Sequence, residues 1–438
     1  MTPAARVATA IEILADILAA VDSDGASADV ILKTAFRARR YAGSKDRAAI
    51  TDLVYGVLRR RAYLTWLLGD DHVTARALML AALANDGASV AALFAGDGYG
   101  ASPLSDDEQA LLQRLRATHA PPPLCAQLEI PPWLLPHLQR RFGDRLPEEA
   151  MALNQRAPLD IRVNVKRITL QDAQRQLMAA GIAAALLKHS PLGLRAASGA
   201  KVTATALYRD GLIDIQDEAA QIASLLATPE HGGLVVDLCA GAGGKSLTMS
   251  AACDAPLTIK AFDIDARRLD ELSARAERAE AANITATLLP ESGEARAALL
   301  APYIGKADVV VVDAPCSGSG TWRRNPELRW RLTPERLAAL TGLQARLIRE
   351  GAGLVKPGGR LIYMTCSLLR QEDEDIVKGF LQENPSFAKC AYRSLSMRLK
   401  LTPDTRAMDD HDLLLTPAHH ACDGFYLSAL TALIAPSS

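Results

Sequence analysis

The sequence contains no CxxC pair and no group of cysteines and histidines at the spacing of a zinc site. Its seven cysteines are an odd number and are scattered from Cys125 to Cys422. With no signal peptide visible at the start of the sequence, such a pattern does not fit a disulfide framework. We therefore expect no metal site, a cytoplasmic location and free thiols, which can serve in catalysis.

Long hydrophobic runs are also absent, since no apolar stretch approaches the ~20 residues that a membrane-spanning helix needs. Apolar residues make up 49% and charged residues 23% of the 438-residue chain, which is the ordinary balance of a globular protein without a membrane partner. The net charge of −1 indicates no partner by itself.

One region does have a surplus of positive charge. Between residues 33 and 61 only Asp46 and Asp52 oppose nine basic residues, which are Lys33, Arg37, Arg39, Arg40, Lys45, Arg47, Arg59, Arg60 and Arg61. Such a surplus can form a face that binds phosphates, and it can equally be the solvated surface of a helix.

The periodicity predicts three domains. Apolar residues at helical spacing, and a helix capped by Ser44, indicate an all-helical domain over 1–120. A proline-rich linker then leads into a small α+β module over 121–213. Alternating strands and helices follow over 214–438, and nothing in the sequence suggests more than a monomer.

The last region predicts an α/β fold. Buried strands are expected at GLVVDL, LTIKAFDI, ADVVVVDAP and RLIYMTCS, and a long helix is expected to stop at KPGG. Runs such as VVVV suit the centre of a parallel sheet covered on both faces. A Rossmann-like, doubly wound sheet binds its ligands at the carboxyl ends of its strands.

A glycine-rich loop follows the first of these strands, in the segment DLCAGAGGKS. A triphosphate-binding loop would carry glycine where this chain has Cys239. An adenosine-containing cofactor needs an acid at the end of the next strand to hold its ribose, and Asp263 stands there beside Asp265. The loop thus favours a nucleoside cofactor without a triphosphate, although a turn without a ligand stays open.

Two cysteines follow two other strands, Cys316 after Asp313 and Cys366 at the end of RLIYMTCS. A single buried cysteine is usually a small core residue. Two at ligand-facing strand ends suit methylation at carbon-5 of a pyrimidine, where a thiolate adds to carbon-6 and a second group assists its release. The residues alone do not say which cysteine is the nucleophile.

A family resemblance rests on three segments, which are DLCAGAGGKS, DAPCSGSGTWRRNPELRW and YMTCS. Together they resemble the signature of the S-adenosylmethionine-dependent RNA cytosine-C5 methyltransferases. The flanking segments IQDEAAQIASLL and CDGFYLSAL are similar to that family as well. PPWLLPHLQRRFGD and IRVNVKR resemble its RNA-proximal module, and SKDRAAITDLVYGVLRRRAYLTWLL resembles the NusB-like domain of bacterial members that modify small-subunit rRNA.

The resemblance implies roles for individual residues. Cys366 would be the nucleophile, Cys316 would assist release, Asp313 would serve cofactor and base, and Lys245 would line the active site. S-adenosyl-L-methionine would bind at Cys239, Ala240, Gly241, Ala242, Gly243, Gly244, Lys245, Asp263, Glu291 and Asp313. Ala242 stands where the family usually has proline, and Glu291 stands for the acid expected near the adenine.

Three further segments need an interpretation. TWRRNPELRWR interleaves tryptophan with arginine and predicts a loop on the RNA side of the site. RQEDED, at 370–375, is interpreted as the acidic first turn of a helix. His419 and His420 lack partners for a metal site.

The sequence thus predicts methylation of cytosine carbon-5 in RNA, with rRNA favoured and tRNA as the alternative substrate. Two other functions stay open. A P-loop NTPase would use Lys245, Ser246 and Asp313, but it leaves both strand-end cysteines without a role. A non-catalytic RNA-binding assembly factor would keep the fold without the reaction.

Overall fold

The computed structural model describes residues 1–23, 25–69, 73–96, 98–115, 120–391, 395 and 411–434. Its contacts group into two compact units, one of Met1–Asn154 with Trp322–Pro334 and one of Gln155–Thr321 with Glu335–Ser438. The three domains predicted above, 1–120, 121–213 and 214–438, have other bounds than these two units and stay a prediction. Residues 116–119, next to the first boundary, lie outside the described residues.

The first unit is helical. Numbered along the chain, its helices are α1 (Pro3–Asp22), α2 (Ala28–Ala38), α3 (Ser44–Arg59), α4 (Arg61–Leu68), α5 (Ala75–Asn85), α6 (Val90–Leu93), α7 (Asp106–Leu115), α8 (Leu124–Gln127), α9 (Leu135–Phe142), α10 (Leu146–Asn154) and α17 (Leu328–Arg331), with a 3-10 turn at Gly143–Arg145. Helix α1 begins where the Thr2 hydroxyl accepts a hydrogen bond from the Ala5 amide. Its buried residues recur every three or four positions and face the core of the unit.

The predicted cap at Ser44 is wrong by one residue, and the segment SKDRAAITDLVYGVLRRRAYLTWLL forms two helices instead of one. Gly43 is the capping residue of α3, because the Asp46 carboxylate accepts a hydrogen bond from its amide at 3.1 Å. Helix α3 ends at Arg59 and α4 begins at Arg61.

The second unit begins with a small α+β module. Its elements are β1 (Leu159–Val163), α11 (Leu170–Ala179), β2 (Ala184–Leu186), β3 (Gly193–Ala196), a 3-10 turn at Val202–Ala204, α12 (Ala206–Arg209) and β4 (Ile213–Ile215). Among the described residues, these four strands form an antiparallel sheet in the order β2-β3-β1-β4. One face of the sheet packs on α11 around a buried cluster that includes Ile161, Leu177 and Leu194.

A larger sheet follows. Its elements are α13 (Glu218–Ala227), β5 (Gly233–Asp237), α14 (Gly244–Ala252), β6 (Leu257–Asp263), α15 (Ala266–Arg278), β7 (Ile284–Leu288), α16 (Glu294–Leu300), β8 (Ala307–Asp313), α18 (Pro334–Leu354), β9 (Val355–Thr365), α19 (Glu374–Glu383), β10 (Phe387–Cys390), β11 (Asp412–Leu415), α20 (Pro417–His420) and β12 (Phe425–Ala432), with 3-10 turns at Ala301–Tyr303 and Ser319–Thr321. Within the described ranges the strand order is β10-β12-β9-β8-β5-β6-β7, and β11 also pairs with β12.

The order of the parallel strands determines where ligands can bind. Strands β5 to β9 are parallel, and the chain moves outward from β5 through β6 to β7 before it returns to β8 on the other side of β5. In a doubly wound sheet, the crevice for ligands opens at the carboxyl ends of the strands beside this reversal. The residues after β5 and β8, which are the glycine loop and the Cys316 loop, therefore flank it. The predicted Rossmann-like sheet preceded by a helical region is confirmed.

The end of the long helix differs from the prediction. Helix α18 ends at Leu354, and KPGG lies inside β9 rather than after a helix cap. Gly358 has a φ of +75°, and the pairing of β8 with β9 shifts register between Ala307 and Val309. The two glycines thus allow an irregular start to a buried strand. In the described part of the chain, no helix is both long and apolar enough to cross a membrane.

Candidate active site

The glycine loop joins β5 to α14 and depends on its glycines. Gly241 and Gly243 have φ values of +53° and +78°, in the left-handed region that other residues rarely adopt. A Cβ on Gly243 would lie 2.5 Å from Leu272 Cγ, so no side chain fits there. The Arg275 guanidinium donates to the Ala242 carbonyl at 2.5 Å. The loop is therefore held from behind while the N-terminus of α14 stays available for a ligand.

Two acids at the end of β5 and β6 support this loop. The Asp263 carboxylate accepts the Gly241 amide at 2.7 Å and the Asp265 amide at 2.9 Å. Asp237, which the sequence analysis did not single out, accepts the Ser246 hydroxyl at 2.7 Å. Burial, with Asp313 nearby, raises the pKa of Asp237 to about 7. The sequence signal that could have identified Asp237 is its position as the last residue of a strand, directly before the glycine loop.

The other predicted cofactor residues lie as follows. Cys239 is half-buried, and burial raises the pKa of its thiol well above the ordinary value, so it stays neutral in the loop. Ala240 donates its amide to the Phe262 carbonyl of β6 at 2.8 Å, and Gly244 is the first residue of α14. Glu291 is exposed in the loop after β7. The cofactor roles of these residues, including that of Asp263, stay predictions.

Lys245 and Asp313 form an ion pair that links α14 to the end of β8. The ammonium group also lies 5.2 Å from the centre of the Phe425 ring. Burial alone would lower the pKa of Lys245, but the carboxylate of Asp313 and the thiol of Cys366 raise it. Lys245 is therefore a cation close to the carboxylate of Asp313 and the sulfur of Cys366.

The two strand-end cysteines meet. The Sγ atoms of Cys316 and Cys366 are 3.3 Å apart, and both residues are half-buried. The hydrogen bond to Cys366, together with burial, raises the pKa of Cys316 well above its ordinary value. The raised pKa favours the protonated thiol at Cys316, and either sulfur can donate the hydrogen bond. The expectation that both cysteines reach one crevice holds in the geometry.

The acidic segment at 370–375 is only partly the predicted first turn of a helix. Glu374 and Asp375 lie in the first turn of α19 as predicted, whereas Glu372 and Asp373 precede the helix and are fully buried. Both acids are held by hydroxyl donors, of which Thr365 donates to Asp373 at 2.7 Å and Ser317 to Glu372 at 2.5 Å. Glu372 is thus a residue of the site that sequence reasoning missed.

The segment rich in tryptophan and arginine is not an RNA-side loop. Trp322 and Arg329 are each 1% exposed, and Arg329 stacks on the Trp322 ring at 4.8 Å. Arg329 also donates to the Glu129 carbonyl at 2.8 Å and to Asn154 Oδ1 at 2.7 Å. The prediction is wrong because these side chains are buried and bonded inside the helical unit.

The positive charges at 33–61 are only partly exposed. Five of the nine already have an acidic or main-chain partner. Lys33 pairs with Asp29, Arg39 with Glu12 and Arg60 with Asp86, while Arg47 and Arg59 each donate to a carbonyl. Exposed positive side chains remain around the turn between α2 and α3, beside a tyrosine that is 72% exposed. We call this group the elbow, and its residues are Arg37, Arg40, Tyr41, Lys45 and Arg47.

The two adjacent histidines show no metal geometry. His420 is buried, and its Nδ1 accepts the Thr416 amide at 3.0 Å. Burial and the neighbouring His189 lower the pKa of His420 to about 4, so the ring is neutral. Over the ranges that the structure describes, no three or more His, Cys, Asp or Glu side chains group in a way that could hold a metal ion.

Known families match two segments of the chain. A family described as 16S rRNA methyltransferase RsmB/F matches residues 223–431, and a ferredoxin-like domain of RsmF/B-like methyltransferases matches residues 130–203. The probable ribosomal RNA small subunit methyltransferase B of Synechocystis sp. is 30% identical over 307 residues, which are 69% of this chain and 67% of that protein. The chain belongs to the RsmB/F methyltransferase family.

Other members of the family align over a smaller share of their own length. The ribosomal RNA small subunit methyltransferase B of Vibrio cholerae is 30% identical over 69% of this chain and 65% of its own length. The protein of the same name from Salmonella typhi is 33% identical over 59% of both chains. The predicted family resemblance is therefore confirmed, and membership favours methyl transfer over nucleotide hydrolysis.

Solved structures share the fold of this RsmB/F family member. The crystal structure of PH0851 has a TM-score of 0.77 at 22% identity and covers 98% of this chain and 99% of its own. NSun6 from Pyrococcus horikoshii with SFG has a TM-score of 0.60 at 16% identity and covers 69% of this chain and 98% of its own. At these identities the likeness concerns the fold alone.

Proposed function

We propose that this chain transfers a methyl group from S-adenosylmethionine to carbon-5 of a cytosine in ribosomal RNA. The observation that carries the proposal is the pair of sulfur atoms of Cys316 and Cys366, 3.3 Å apart. They follow two neighbouring parallel strands, at the edge of the sheet where the glycine loop also ends. A reaction that needs one thiol to attack and another group to assist release fits such a pair.

The residues of the glycine loop fit the cofactor. Gly241 and Gly243 let the loop adopt left-handed turns that lead into the N-terminus of α14, and Asp263 keeps lone pairs for ribose hydroxyls beyond the two amides it accepts. Asp263 and the loop from Cys239 to Gly244 would hold the cofactor, with Glu291 toward its adenine. S-adenosylmethionine supplies an electrophilic methyl group on a sulfonium.

Cys366 would begin the reaction as a thiolate. Its sulfur forms a bond to carbon-6 of the cytosine, and the electron pair of the carbon-5 to carbon-6 double bond becomes available for the bond to the methyl group. Two contacts stabilise the negative sulfur, which are the hydrogen bond from the Cys316 thiol and the nearby positive charge of Lys245. Asp313, beside Lys245, would accept a hydrogen bond from the exocyclic amine of the base.

Release then reverses the addition. The proton leaves carbon-5, the bond between Cys366 and carbon-6 breaks, and the double bond forms again. Cys316 would assist this step because its sulfur lies 3.3 Å from that of Cys366. Without it, the covalent adduct between enzyme and RNA should persist.

The RNA must present an unstacked base, since a thiol cannot reach carbon-6 of a stacked one. The exposed positive side chains of the elbow are suited to contact the RNA backbone. Ribosomal RNA is favoured over transfer RNA because the relatives named above carry small-subunit ribosomal RNA in their names.

Trapping the adduct tests the proposal. Cys316→Ala, mixed with S-adenosylmethionine and unmodified small-subunit rRNA, should give a protein–RNA species that survives a denaturing gel, and bisulfite sequencing of wild-type reactions should find one methylated cytosine. Cys125→Ala, a half-buried cysteine of α8, is the control and should turn over normally.

The other outcomes have distinct meanings. RNA binding without any methyl transfer by the wild-type chain would make it a non-catalytic assembly factor. Methylation of transfer RNA alone would change the substrate. ATP or GTP hydrolysis that Lys245→Ala abolishes, in the absence of methyl transfer, would replace the proposal by a P-loop NTPase.

A further inference from the structure

The two cysteine loops leave separate strands and are not neighbours in sequence. Cys316 follows β8 and Cys366 follows β9, so their sulfurs depend on two independent loop conformations. A small shift of either loop would separate atoms that are 3.3 Å apart. Misplacing reacting groups by about 1 Å can cost about 100-fold in rate. Something must therefore tie the loops together.

One buried carboxylate contacts both loops. Glu372 is 0% exposed and lies just before α19. Its Oε1 accepts the Ser317 amide at 2.8 Å and the Gln344 side-chain amide at 3.0 Å. Its Oε2 accepts the Ser317 and Ser367 hydroxyls, each at 2.5 Å. Ser317 and Ser367 are the residues directly after the two cysteines.

Glu372 is the acceptor at the centre of a larger polar network. Gln344 of α18 also donates to the Pro315 carbonyl at 2.9 Å, on the other side of Cys316. Ser319 contacts the Ser367 hydroxyl at 3.1 Å and accepts the Leu368 amide at 2.8 Å. An ionised carboxylate suits this position, since it accepts hydrogen bonds without donating any, and every group around it can donate.

We propose that Glu372 is a positioning residue that sets the distance between Cys316 and Cys366 by holding the serine after each. The inference rests on the proposed function for its catalytic meaning, although the geometry it concerns belongs to the protein alone. Glu372 touches neither sulfur, so it acts through Ser317 and Ser367.

Two further observations agree with this role. Glu372 is among the groups that raise the pKa of Cys316, after the bond to Cys366 and burial, so its charge favours the protonated thiol there. The adjacent acid is different, because Asp373 accepts the Thr365 hydroxyl at 2.7 Å and thus holds the Cys366 strand. Glu372, in contrast, contacts the serines of both loops.

Crosslinking of the two thiols measures their distance without RNA. Diamide takes the two thiol hydrogens and two electrons as it becomes a hydrazine, and the two sulfurs form a disulfide. The Cys316–Cys366 link is quantified over time by peptide mass spectrometry. The wild-type chain should form it quickly because its sulfurs are already adjacent, and Glu372→Ala should form it at least about tenfold more slowly.

Methyl-transfer kinetics add the catalytic readout. In Glu372→Ala the kcat should fall about 100-fold, while the KM for S-adenosylmethionine stays within about twofold, because the Glu372 carboxylate contacts Ser317, Ser367 and Gln344, away from the glycine loop. Glu372→Gln keeps the shape and most of the acceptor geometry and should restore much of both rates. Asp375→Asn, at an exposed acid in the first turn of the helix that follows Glu372, is the matched control and should behave like wild type.

A double variant covers the case in which Glu372→Ala does not fold. Ser317→Ala with Ser367→Ala removes both hydroxyl donors and keeps the carboxylate, and should slow crosslinking several-fold. Wild-type crosslinking and kcat in the folded variants would overturn the proposal. If the variants crosslink slowly but the wild-type chain shows no methyl transfer at all, the proposed function is refuted and the positioning role of Glu372 remains.

Discussion

Two adjacent stretches of the chain differ in composition and in what they do. Residues 313–321 are small and mostly uncharged, whereas the segment Trp322–Pro334 is rich in arginine and tryptophan. The first brings Asp313 and Cys316 to the ligand edge of a parallel sheet, whereas the second packs Trp322 and Arg329 inside the helical unit. The comparison teaches that position after a strand indicates a site more reliably than a composition typical of RNA contact.

The largest expected effect concerns Cys366, whose sulfur contacts that of Cys316 in the first stretch. Cys366→Ala should lower methyl transfer by at least about 10³-fold, because it removes the proposed nucleophile. The free energy of unfolding should change by less than about 1 kcal/mol, since the side chain is small and half-buried. Initial rates with labelled S-adenosylmethionine and a urea titration of the same preparation measure the two quantities.

Cys390→Ala is the matched control for this variant, because Cys390 is a half-buried cysteine at the edge of the same sheet. It should retain full activity. Full activity in Cys366→Ala would contradict the proposed role of Cys366 as the nucleophile.

The second stretch should respond in stability. Arg329→Ala leaves the Glu129 carbonyl and Asn154 Oδ1 without a buried donor and removes the group stacked on Trp322. We expect a loss of about 3 kcal/mol in the free energy of unfolding of the helical unit. The four tryptophans, at 66, 133, 322 and 330, all belong to this unit, so their fluorescence reports on it alone.

Arg37→Ala provides the control for stability, since Arg37 is an exposed arginine of the same unit. It should change the unfolding free energy by less than about 0.5 kcal/mol. A stable Arg329→Ala protein with weakened RNA binding would reverse our interpretation of the tryptophan–arginine segment.

The smallest expected effect is on RNA affinity. Arg40→Ala with Lys45→Ala removes two exposed charges of the elbow and should weaken RNA binding a few-fold, with the salt dependence reduced by about two phosphate contacts. Filter binding at several salt concentrations measures this slope. Lys33→Ala, whose ammonium already pairs with Asp29, is the control, and an equal loss there would point to general charge rather than to the elbow.

The sequence predicted the parts of the molecule that follow from local pattern. Buried runs such as Val309–Val312 predict central parallel strands, and motif order places Cys316 and Cys366 after neighbouring strands. Lys245 and Asp313 were singled out for their motifs, and the structure pairs them. These inferences need only the rule that parallel strands present their carboxyl ends at one edge.

Other features depend on contacts between distant residues and could not be read locally. An acid before a helix is normally favoured by the helix dipole, so nothing near Glu372 indicates that Ser317, 55 residues away, donates to it. Arg331 likewise donates to the carbonyls of Gly25 and Ala26, at 2.7 and 2.5 Å. Burial of a charged side chain is a property of the completed fold.

The return of Trp322–Pro334 to the helical unit has a consequence for biosynthesis. The main part of that unit ends at Asn154, and its last segment is translated only after about 170 further residues, or roughly 10 to 30 s at typical rates of synthesis. Until then Glu129, Asn154 and the Gly25 carbonyl await donors that the ribosome has not yet made. The unit that comes first in the gene is therefore completed late, after strands β5 to β8 of the larger sheet and before strands β9 to β12.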